Sequence, residues 1–198
     1  MSLEYSGLEL DIFPEVYEPA EDSFLLAKYA KWLGGRILEI GCGSGIVSLV
    51  CAQTEGNSVL GVDLNPKAVE NSRLNAKKNG IANAEFAEGG LFSAVPGKKF
   101  DAIVFNPPYL PTSGEEKVRG KLNLAFDGGK TGRKVTDRFI SQFPEFLKEK
   151  GTLLMIESSL SGIEKTVKKL EKLGFRAEIL EEEKFFFEKI AVIQARKI

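Results

Sequence analysis

The sequence predicts an α/β fold of three layers, a doubly wound and mostly parallel sheet with helices on both faces and an antiparallel last strand. Three observations support this. Strand-like and helix-like segments alternate between residues 36 and 173. The strand-like runs are rich in Val, Ile and Phe, as in parallel strands buried on both faces. The last two runs are joined too tightly for a crossover helix, which indicates an antiparallel hairpin.

The predicted elements follow one another in a regular order. Strands are predicted at 36–40, 58–62, 84–87, 100–105, 152–157, 176–180 and 189–195, and helices at 46–53, 66–79, 134–148 and 162–173. The helix at 66–79 has the clearest limits, because Pro66 suits a first helical turn and Gly80 ends the helix. A polar loop follows residue 109 and extends to residue 127.

Length and charge narrow the class of protein. The 198 residues suit one domain, 1–198, with residues 1–19 as an N-terminal extension, and leave no room for a separate substrate domain. A formal charge of −1 argues against a chain that grips phosphates broadly. The sequence has no histidine, which removes imidazole as a general base, nucleophile activator or metal ligand.

Cysteine content and hydropathy predict a soluble, cytoplasmic protein. Cys42 lies in a glycine-rich turn and Cys51 in the apolar helix that follows it, so we expect neither a disulfide framework nor a metal site. The first 11 residues carry acidic groups and lack the apolar core of a signal peptide. No apolar run reaches the roughly 18 residues of a membrane span.

The first predicted strand ends at Glu39 and leads into a turn with three alternating glycines, Gly41, Gly43 and Gly45. Glycine adopts backbone conformations closed to other residues and lets a ligand approach the main chain. The spacing differs from that of dinucleotide-binding folds and lacks the Lys-Ser/Thr ending of a phosphate loop. With Glu39 at its head, the turn suggests a nucleotide-like ligand that carries an ammonium group. An ordinary strand-to-helix turn is the alternative.

The second predicted strand is followed by an acid, Asp63. A carboxylate at this place can accept hydrogen bonds from both hydroxyls of a ribose, as in dinucleotide-binding folds. The competing interpretation is that Asp63 caps the next helix, a role for which Asn65 is also suited.

The fourth predicted strand ends in the run Asn106-Pro107-Pro108-Tyr109. Pro107 keeps Asn106 out of the helical region, and neither proline has an N–H to donate. The Asn106 side-chain oxygen and the Pro107 carbonyl can together accept both protons of one planar NH2 group. The run therefore predicts a site for a nitrogen nucleophile, with an ordinary turn as the alternative.

Taken together, these features resemble the class I S-adenosylmethionine-dependent methyltransferases, whose Rossmann-like sheet has seven strands with the last one antiparallel. Within that superfamily, Asn-Pro-Pro-Tyr marks enzymes that methylate planar nitrogens. The segment from Val16 to Ser23 is similar to a signature of the short eukaryotic and archaeal members of the HemK/PrmC-like family, which methylate the glutamine of the Gly-Gly-Gln loop of release factors. Asp127, Gly128, Gly129, Gly132 and Arg133 also resemble that family. Its bacterial members carry an additional N-terminal helical domain.

The resemblance implies roles for individual residues. S-adenosylmethionine, which leaves as S-adenosylhomocysteine, is expected to contact a set of nine residues: Ser23, Glu39, Gly41, Gly43, Gly45, Asp63, Gly90, Leu91 and Asn106. Glu39 would lie near the methionine moiety and Asp63 on the ribose. The substrate is expected at Asn106, Pro107, Pro108 and Tyr109, with Asn106, Pro107 and Tyr109 catalytic and no metal involved.

One position departs from the family pattern. Gly90 stands where the family has an Asp that accepts from the adenine amino group. The chain would then use the Leu91 backbone N–H alone or bring in Glu88, which is otherwise a solvated charge. The loss of one charged hydrogen bond is worth about 1.5–3 kcal/mol.

Three alternatives to a free-standing glutamine methyltransferase are open. An adenine-N6 methyltransferase of DNA or RNA would place a flipped base in the same slot, although the near-neutral charge argues against it. Family resemblance also implies an enzyme that works as a heterodimer with a small zinc-binding activator protein, docked along the sheet edge at 84–87. The third is a non-enzymatic cofactor-binding or interaction protein that kept the fold. A membrane partner is not expected.

Basic residues flank the predicted mouth of the site. They are Lys117, Arg119, Lys121, Lys130, Arg133, Lys134 and Arg138. We interpret them as a solvated face, with docking of an acidic surface of the substrate as the alternative.

Overall fold

The fold is built on a sheet of seven strands, of which six point the same way. In the computed structural model, residues 1–112, 128–185 and 187–197 are described. The strands of this sheet are β3 (Arg36–Ile40), β4 (Ser58–Asp63), β5 (Ala84–Glu88), β6 (Phe100–Phe105), β7 (Leu147–Ser158), β8 (Phe175–Lys184) and β9 (Lys189–Lys197), in the order β5-β4-β3-β6-β7-β9-β8. Only β9 runs against its neighbours among these strands, which confirms the predicted antiparallel end.

Helices cover both faces of the sheet. They are α1 (Glu21–Ala30), α2 (Ile46–Ala52), α3 (Pro66–Lys78), α4 (Lys134–Gln142) and α5 (Ile163–Lys172). Apolar residues of α1, α2 and α3 share one core with one face of the sheet, whereas those of α4 and α5 pack with the other face. The predicted three-layer, doubly wound architecture is confirmed.

The predicted helix at 134–148 is wrong in its second half. Helix α4 ends at Gln142, a single 3₁₀ turn covers Phe143–Glu145, and β7 already begins at Leu147. Pro144 explains the difference, because its ring and missing N–H interrupt the helical hydrogen-bond pattern. The amphipathic pattern of α4 had hidden this break.

An N-terminal hairpin and helix α1 were not predicted. Strands β1 (Ser2–Tyr5) and β2 (Leu8–Asp11) form a separate antiparallel pair. Ser6 and Gly7 connect them with φ values of 52° and 78°, the two positive angles of a type I′ turn. The Ser-Gly pair before the buried Leu8 and Leu10 was the available signal for the hairpin.

Two asparagines of α3 and its C-cap residue Asn79 bind the backbone of this hairpin and of the residues just after it. The amide oxygens of Asn79, Asn75 and Asn71 accept from the backbone N–H groups of Glu9, Asp11 and Phe13 at 2.9, 2.9 and 3.0 Å. Their NH2 groups donate back to the carbonyls of Glu9 and Asp11. Four helical residues rise about 6 Å and two strand residues about 6.8 Å, so the pairing stays in register over the three pairs. We call these three residues the asparagine ladder.

After the ladder, the chain crosses the end of the sheet at which β3, β4 and β6 have their carboxyl ends. The NH2 group of Asn65 donates to the carbonyl of Glu15 at 2.8 Å, which fixes the segment between β2 and α1. This segment and the start of α1 form one wall of a cavity of about 650 Å³. None of the helices among the described residues has the length and apolar character needed to cross a membrane.

Replacing the middle residue of the ladder tests its contribution. Asn75→Ala leaves the Asp11 N–H and the Ser44 carbonyl without their side-chain partner, because Asn75 serves both. We expect the free energy of unfolding to fall by about 1–3 kcal/mol in urea titrations, the cost of buried unpaired groups. Lys77→Ala, an exposed site on the same helix, is the control. Equal stability of the two variants would contradict the ladder's role.

Candidate active site

A cavity of about 650 Å³ opens where β3, β4 and β6 end. In α/β sheets the crevice beyond the carboxyl ends of the strands is the usual ligand site. The predicted site residues in its wall are Ser23, Glu39, Gly41, Gly43, Asp63, Gly90, Leu91, Asn106, Pro107, Pro108 and Tyr109. The structure thus brings together all predicted residues except Gly45, which does not line the cavity.

The glycine turn shapes the floor of the cavity. Gly41 and Gly43 have φ values of 71° and 54°, which other residues rarely adopt. A Cβ added to Gly43 would meet nothing within 4 Å, so its backbone is open to a ligand. Gly45 has a different task, because a Cβ there would come within 3.1 Å of the Ser72 side chain. Its role is to let the turn pack against α3.

Glu39 is buried under this turn, with 4% of its surface exposed. One carboxyl oxygen accepts from the Ser48 backbone N–H at 2.8 Å and also from the Ser48 hydroxyl. Burial raises the pKa of Glu39 to about 8, although the Ser48 hydrogen bonds act in the opposite direction. The side chain is therefore mostly protonated at neutral pH, and a cationic ligand beside it would favour its ionised form.

Asp63, the last residue of β4, is hydrogen-bonded to the glycine turn. Its carboxylate accepts from the backbone N–H groups of Gly43 at 2.9 Å and Asn65 at 2.8 Å. Burial raises its pKa, with the backbone hydrogen bonds opposing the shift. The helix-capping alternative is taken by Asn65, whose side-chain oxygen accepts from the Lys67 N–H at 3.0 Å. Asp63 is thus left facing the cavity.

The region of the expected acid at position 90 is apolar. A Cβ on Gly90 would lie 3.7 Å from a methyl group of Leu64, and Gly90 donates its N–H to Ser93 at 3.0 Å. Leu91 has a φ of 51°, which is uncommon for a residue with a Cβ. Glu88 is exposed and is not part of the cavity wall. The structure therefore supports the solvated interpretation of Glu88.

The Asn106 side chain has one occupied end and one unpaired end. Its NH2 group donates to an oxygen of Asp22 at 2.9 Å. Its oxygen is buried and has no hydrogen-bond partner among the described residues. A buried acceptor without a donor costs about 1–3 kcal/mol. The site therefore favours a ligand that brings an N–H or O–H group to this oxygen.

Asp22 is the residue that our sequence interpretation missed. It lies inside the segment from Val16 to Ser23 and is only 4% exposed. Its carboxylate accepts hydrogen bonds from the hydroxyl groups of Tyr17 and Tyr109. Burial is the main cause of the raised pKa of both tyrosines, and the Asp22 charge adds to it. The acidic pair Glu21 and Asp22 in the first turn of a helix, just after Pro19, was the available signal.

Residues 128–134 support the Asn-Pro-Pro-Tyr run from behind. The Gly128 N–H donates to the Leu110 carbonyl at 3.1 Å. A Cβ on Gly132 would lie 2.3 Å from the Tyr109 carbonyl oxygen and would overlap it. Arg133 is 6% exposed and pairs with Asp137 and Glu157 at 2.8 and 3.4 Å. The prediction that Arg133 belongs to an exposed basic face is therefore wrong, because this residue is buried and its charge is paired with two carboxylates.

The ionisable side chains of the cavity wall are mainly carboxyl groups. Six carboxyl residues line it, namely Glu15, Glu21, Asp22, Glu39, Asp63 and Glu188, against the two basic residues Lys134 and Arg138. Lys130 is exposed and outside the wall. Lys117, Arg119 and Lys121 lie outside the described residues. The wall suits a neutral or cationic ligand better than a phosphate.

Comparisons with known proteins find methyltransferases similar to this chain. A family model described as the methyltransferase small domain matches residues 20–121. A Methanocaldococcus jannaschii protein, provisionally named a protein N5-glutamine methyltransferase, is 48% identical over 100% of both chains. The eRF1 methyltransferase catalytic subunit mtq2 of Schizosaccharomyces pombe is 31% identical over 86% of this chain and 84% of its own. The solved E. cuniculi Mtq2-Trm112 complex has the same fold, with a TM-score of 0.72 at 24% identity over 93% of this chain and 99% of that one.

Titration of Glu39 gives a test of the buried carboxyl. Between its ordinary pKa of 4.5 and about 8, the folded state keeps a proton that the unfolded state has released. The free energy of unfolding should therefore fall as pH rises through this window, by up to about 1.4 kcal/mol per unit. In Glu39→Gln, which keeps the acceptor for Ser48, this part of the slope should vanish in urea titrations at pH 5 and pH 8.

The matched control is Glu164→Gln, at an exposed position of α5. It should keep the wild-type pH dependence. An unchanged slope in Glu39→Gln would show that Glu39 is ionised in the folded protein.

Proposed function

Since this chain belongs to the methyltransferase small-domain family, we propose that it is an enzyme that transfers a methyl group from S-adenosylmethionine to the side-chain amide nitrogen of a protein glutamine. The family is shown by the match over residues 20–121 and by the full-length relative at 48% identity. We propose the glutamine of the Gly-Gly-Gln loop of a peptide chain release factor as the substrate. The carrying observation is the buried, unpaired oxygen of Asn106 at the end of β6.

The residues present fit S-adenosylmethionine. The open backbone at Gly43 gives space above the turn, and the Asp63 carboxylate at the end of β4 suits the ribose hydroxyls. Glu39 lies under the turn, where a carboxyl group suits the ammonium of the methionine part. Ser23, Gly41, Gly90 and Leu91 complete the proposed wall. When bound, this cofactor supplies a methyl group on a positively charged sulfur and leaves as S-adenosylhomocysteine.

The acceptor end of the site addresses the weakness of an amide as a nucleophile. The lone pair of an amide nitrogen is delocalised into its carbonyl group. We propose that the Asn106 oxygen and the Pro107 carbonyl accept the two N–H protons, while Pro108 and Tyr109 form the slot for the planar group. This fixes the direction of the lone pair and stabilises the positive charge that develops on nitrogen. Such alignment lowers barriers by up to roughly 7–11 kcal/mol in well-oriented systems.

No strong base is needed at this site. After methyl transfer the nitrogen carries an additional bond and becomes acidic enough to lose a proton to water. This agrees with a chain that contains no histidine. The contribution of the protein is to position the amide and to stabilise charge.

Two observations favour a protein glutamine over adenine. The fission-yeast relative, at 31% identity, is named an eRF1 methyltransferase catalytic subunit. The acidic wall of the cavity, with Glu15, Glu21 and Glu188 near its edge, disfavours the phosphates of a flipped nucleotide. Adenine-N6 methylation of DNA or RNA is the second candidate, since the same acceptor pair fits an exocyclic amine.

We also propose a small zinc-binding activator protein as a heterodimer partner. The fission-yeast relative is named a catalytic subunit, which supports a complex of this chain with a second protein. Strand β5 is an edge of the seven-stranded sheet, which leaves one side of its backbone open for pairing. We propose the cytoplasm as its location, because release factors act there.

Loss of the Asn106 amide tests the acceptor site. Asn106→Ala should reduce turnover on the order of a hundredfold or more, because one preorganised polar group is lost. Affinity for S-adenosylmethionine, measured by calorimetry, should stay near that of the wild type. Asn83→Ala is the matched control, since the Asn83 side chain donates to the carbonyls of Ala52 and Asn57 and lies outside the cavity wall. Near-normal turnover of Asn106→Ala would refute the assignment.

The substrate is tested by incubating the enzyme and labelled cofactor with a candidate release factor. We expect mass analysis to find one added methyl group on the Gly-Gly-Gln peptide and none on a Gly-Gly-Ala version. Parallel reactions contain DNA and RNA. Labelled adenine with an unmodified release factor would replace the proposed substrate by the second candidate.

A further inference from the structure

The buried carboxylate of Asp22 collects hydrogen bonds from two sides. One oxygen accepts from the Ser23 N–H at 2.6 Å and from the Tyr17 hydroxyl at 3.0 Å. The other accepts from the Asn106 NH2 group at 2.9 Å and from the Tyr109 hydroxyl at 3.3 Å. Asp22 has no ion-pair partner in the described part of the chain. Its charge is stabilised by neutral donors alone.

These contacts settle which way the Asn106 amide points. An asparagine side chain can turn by 180°, which exchanges its NH2 group and its oxygen at little steric cost. A carboxylate only accepts, so it selects the orientation in which the NH2 group faces Asp22. The Asn106 oxygen must then face the other way. In the reverse orientation the NH2 group would face an incoming amide, and two donors would meet.

We propose that Asp22 is a positioning residue that locks the Asn106 amide with its oxygen towards the substrate. This inference rests on the proposed function of Asn106 as the acceptor for a substrate NH2 group. Asp22 itself does not need to touch the substrate. It acts through one hydrogen bond to Asn106, and Tyr17 and Ser23 hold the carboxylate in place for that bond.

The charge of Asp22 also strengthens the acceptor. Donation of an amide N–H to a carboxylate polarises the amide and moves electron density to its oxygen. A more negative Asn106 oxygen attracts the substrate N–H more strongly as the nitrogen becomes positive. Position and polarisation therefore act in the same direction.

Replacement by asparagine makes a sharp test, because the neighbours dictate its orientation. The Ser23 backbone N–H lies at 2.6 Å and can only donate, so the oxygen of the introduced amide will face Ser23. Its NH2 group will then face position 106. Asn106 must turn its own oxygen towards this donor and present its NH2 group to the substrate. Asp22→Asn should reduce turnover on the order of a hundredfold, with little change in cofactor affinity.

The double variant Asp22→Asn/Asn106→Asp should restore activity. Its two side chains exchange the donor and acceptor roles. The carboxylate at position 106 accepts from the introduced amide with one oxygen and offers the other to the substrate. We expect at least a tenfold gain in kcat over Asp22→Asn. Asn106→Asp alone places two carboxylates in contact and should remain poorly active. A role of Asp22 in folding alone predicts no such rescue.

Asp101→Asn provides the matched control. Asp101 undergoes the same chemical change at the start of the central strand β6, outside the cavity wall, where it pairs with Lys148 at 2.8 Å. Its kcat should stay within about threefold of the wild type. Circular dichroism and cofactor calorimetry on every variant separate misfolding from lost positioning.

A readout without turnover keeps the proposal separate from the proposed function. In ¹⁵N–¹H spectra the Asn106 side-chain NH2 pair, identified by its absence in Asn106→Asp, should have one proton shifted downfield by its bond to the carboxylate. This shift should be lost in Asp22→Asn. If the wild type methylates no release factor but this shift is present, the proposed function fails and the orientation stands. Full turnover by Asp22→Asn, or no rescue in a folded double variant that binds cofactor, would overturn the positioning role.

Discussion

The candidate site depends on one constraint, namely that the N-terminal segment must be held against the carboxyl ends of the parallel strands. The asparagine ladder of α3 does this by pairing with the backbone of residues 9–13, as a neighbouring strand would. Side-chain amides can pair in this way because each carries a donor and an acceptor. Without this attachment, Asp22 would not reach Asn106, which lies 84 positions later in the chain.

Three carboxyl groups of the site, of which Glu39 and Asp22 are buried and Asp63 is half-buried, accept hydrogen bonds in a similar way. Glu39, Asp63 and Asp22 each accept a backbone N–H from a residue at a turn or a helix start, namely Ser48, Gly43 and Ser23. Fixed backbone donors stabilise a buried acid without the side-chain entropy that a lysine or arginine would lose. They also leave part of each carboxyl group facing the cavity. An acidic wall can therefore be maintained without internal cations beside it.

The sequence predicted the parts of the fold whose cause is local. Alternating apolar runs, Pro66 and Gly80 were sufficient for the strands and for α3, and the tight last connection was sufficient for the hairpin. Helix α4 was predicted too long, because its apolar spacing continues past Pro144. The Ser-Gly turn of the N-terminal hairpin has a local signal, but the attachment of the hairpin to α3, 58–70 residues away, has none. The same holds for Asp22, whose partner Asn106 is set by the fold.

The orientation of an amide explains why the Asn-Pro-Pro-Tyr run alone cannot define the reaction. The two prolines fix the backbone of the run, and the close approach of Gly128 and Gly132 holds it from behind. Neither constraint distinguishes the oxygen of Asn106 from its NH2 group, which have nearly the same size. That distinction requires a neighbour that only accepts, and Asp22 on α1 is such a neighbour. Acceptor chemistry at this site is therefore a joint property of the run and of the N-terminal segment that crosses it.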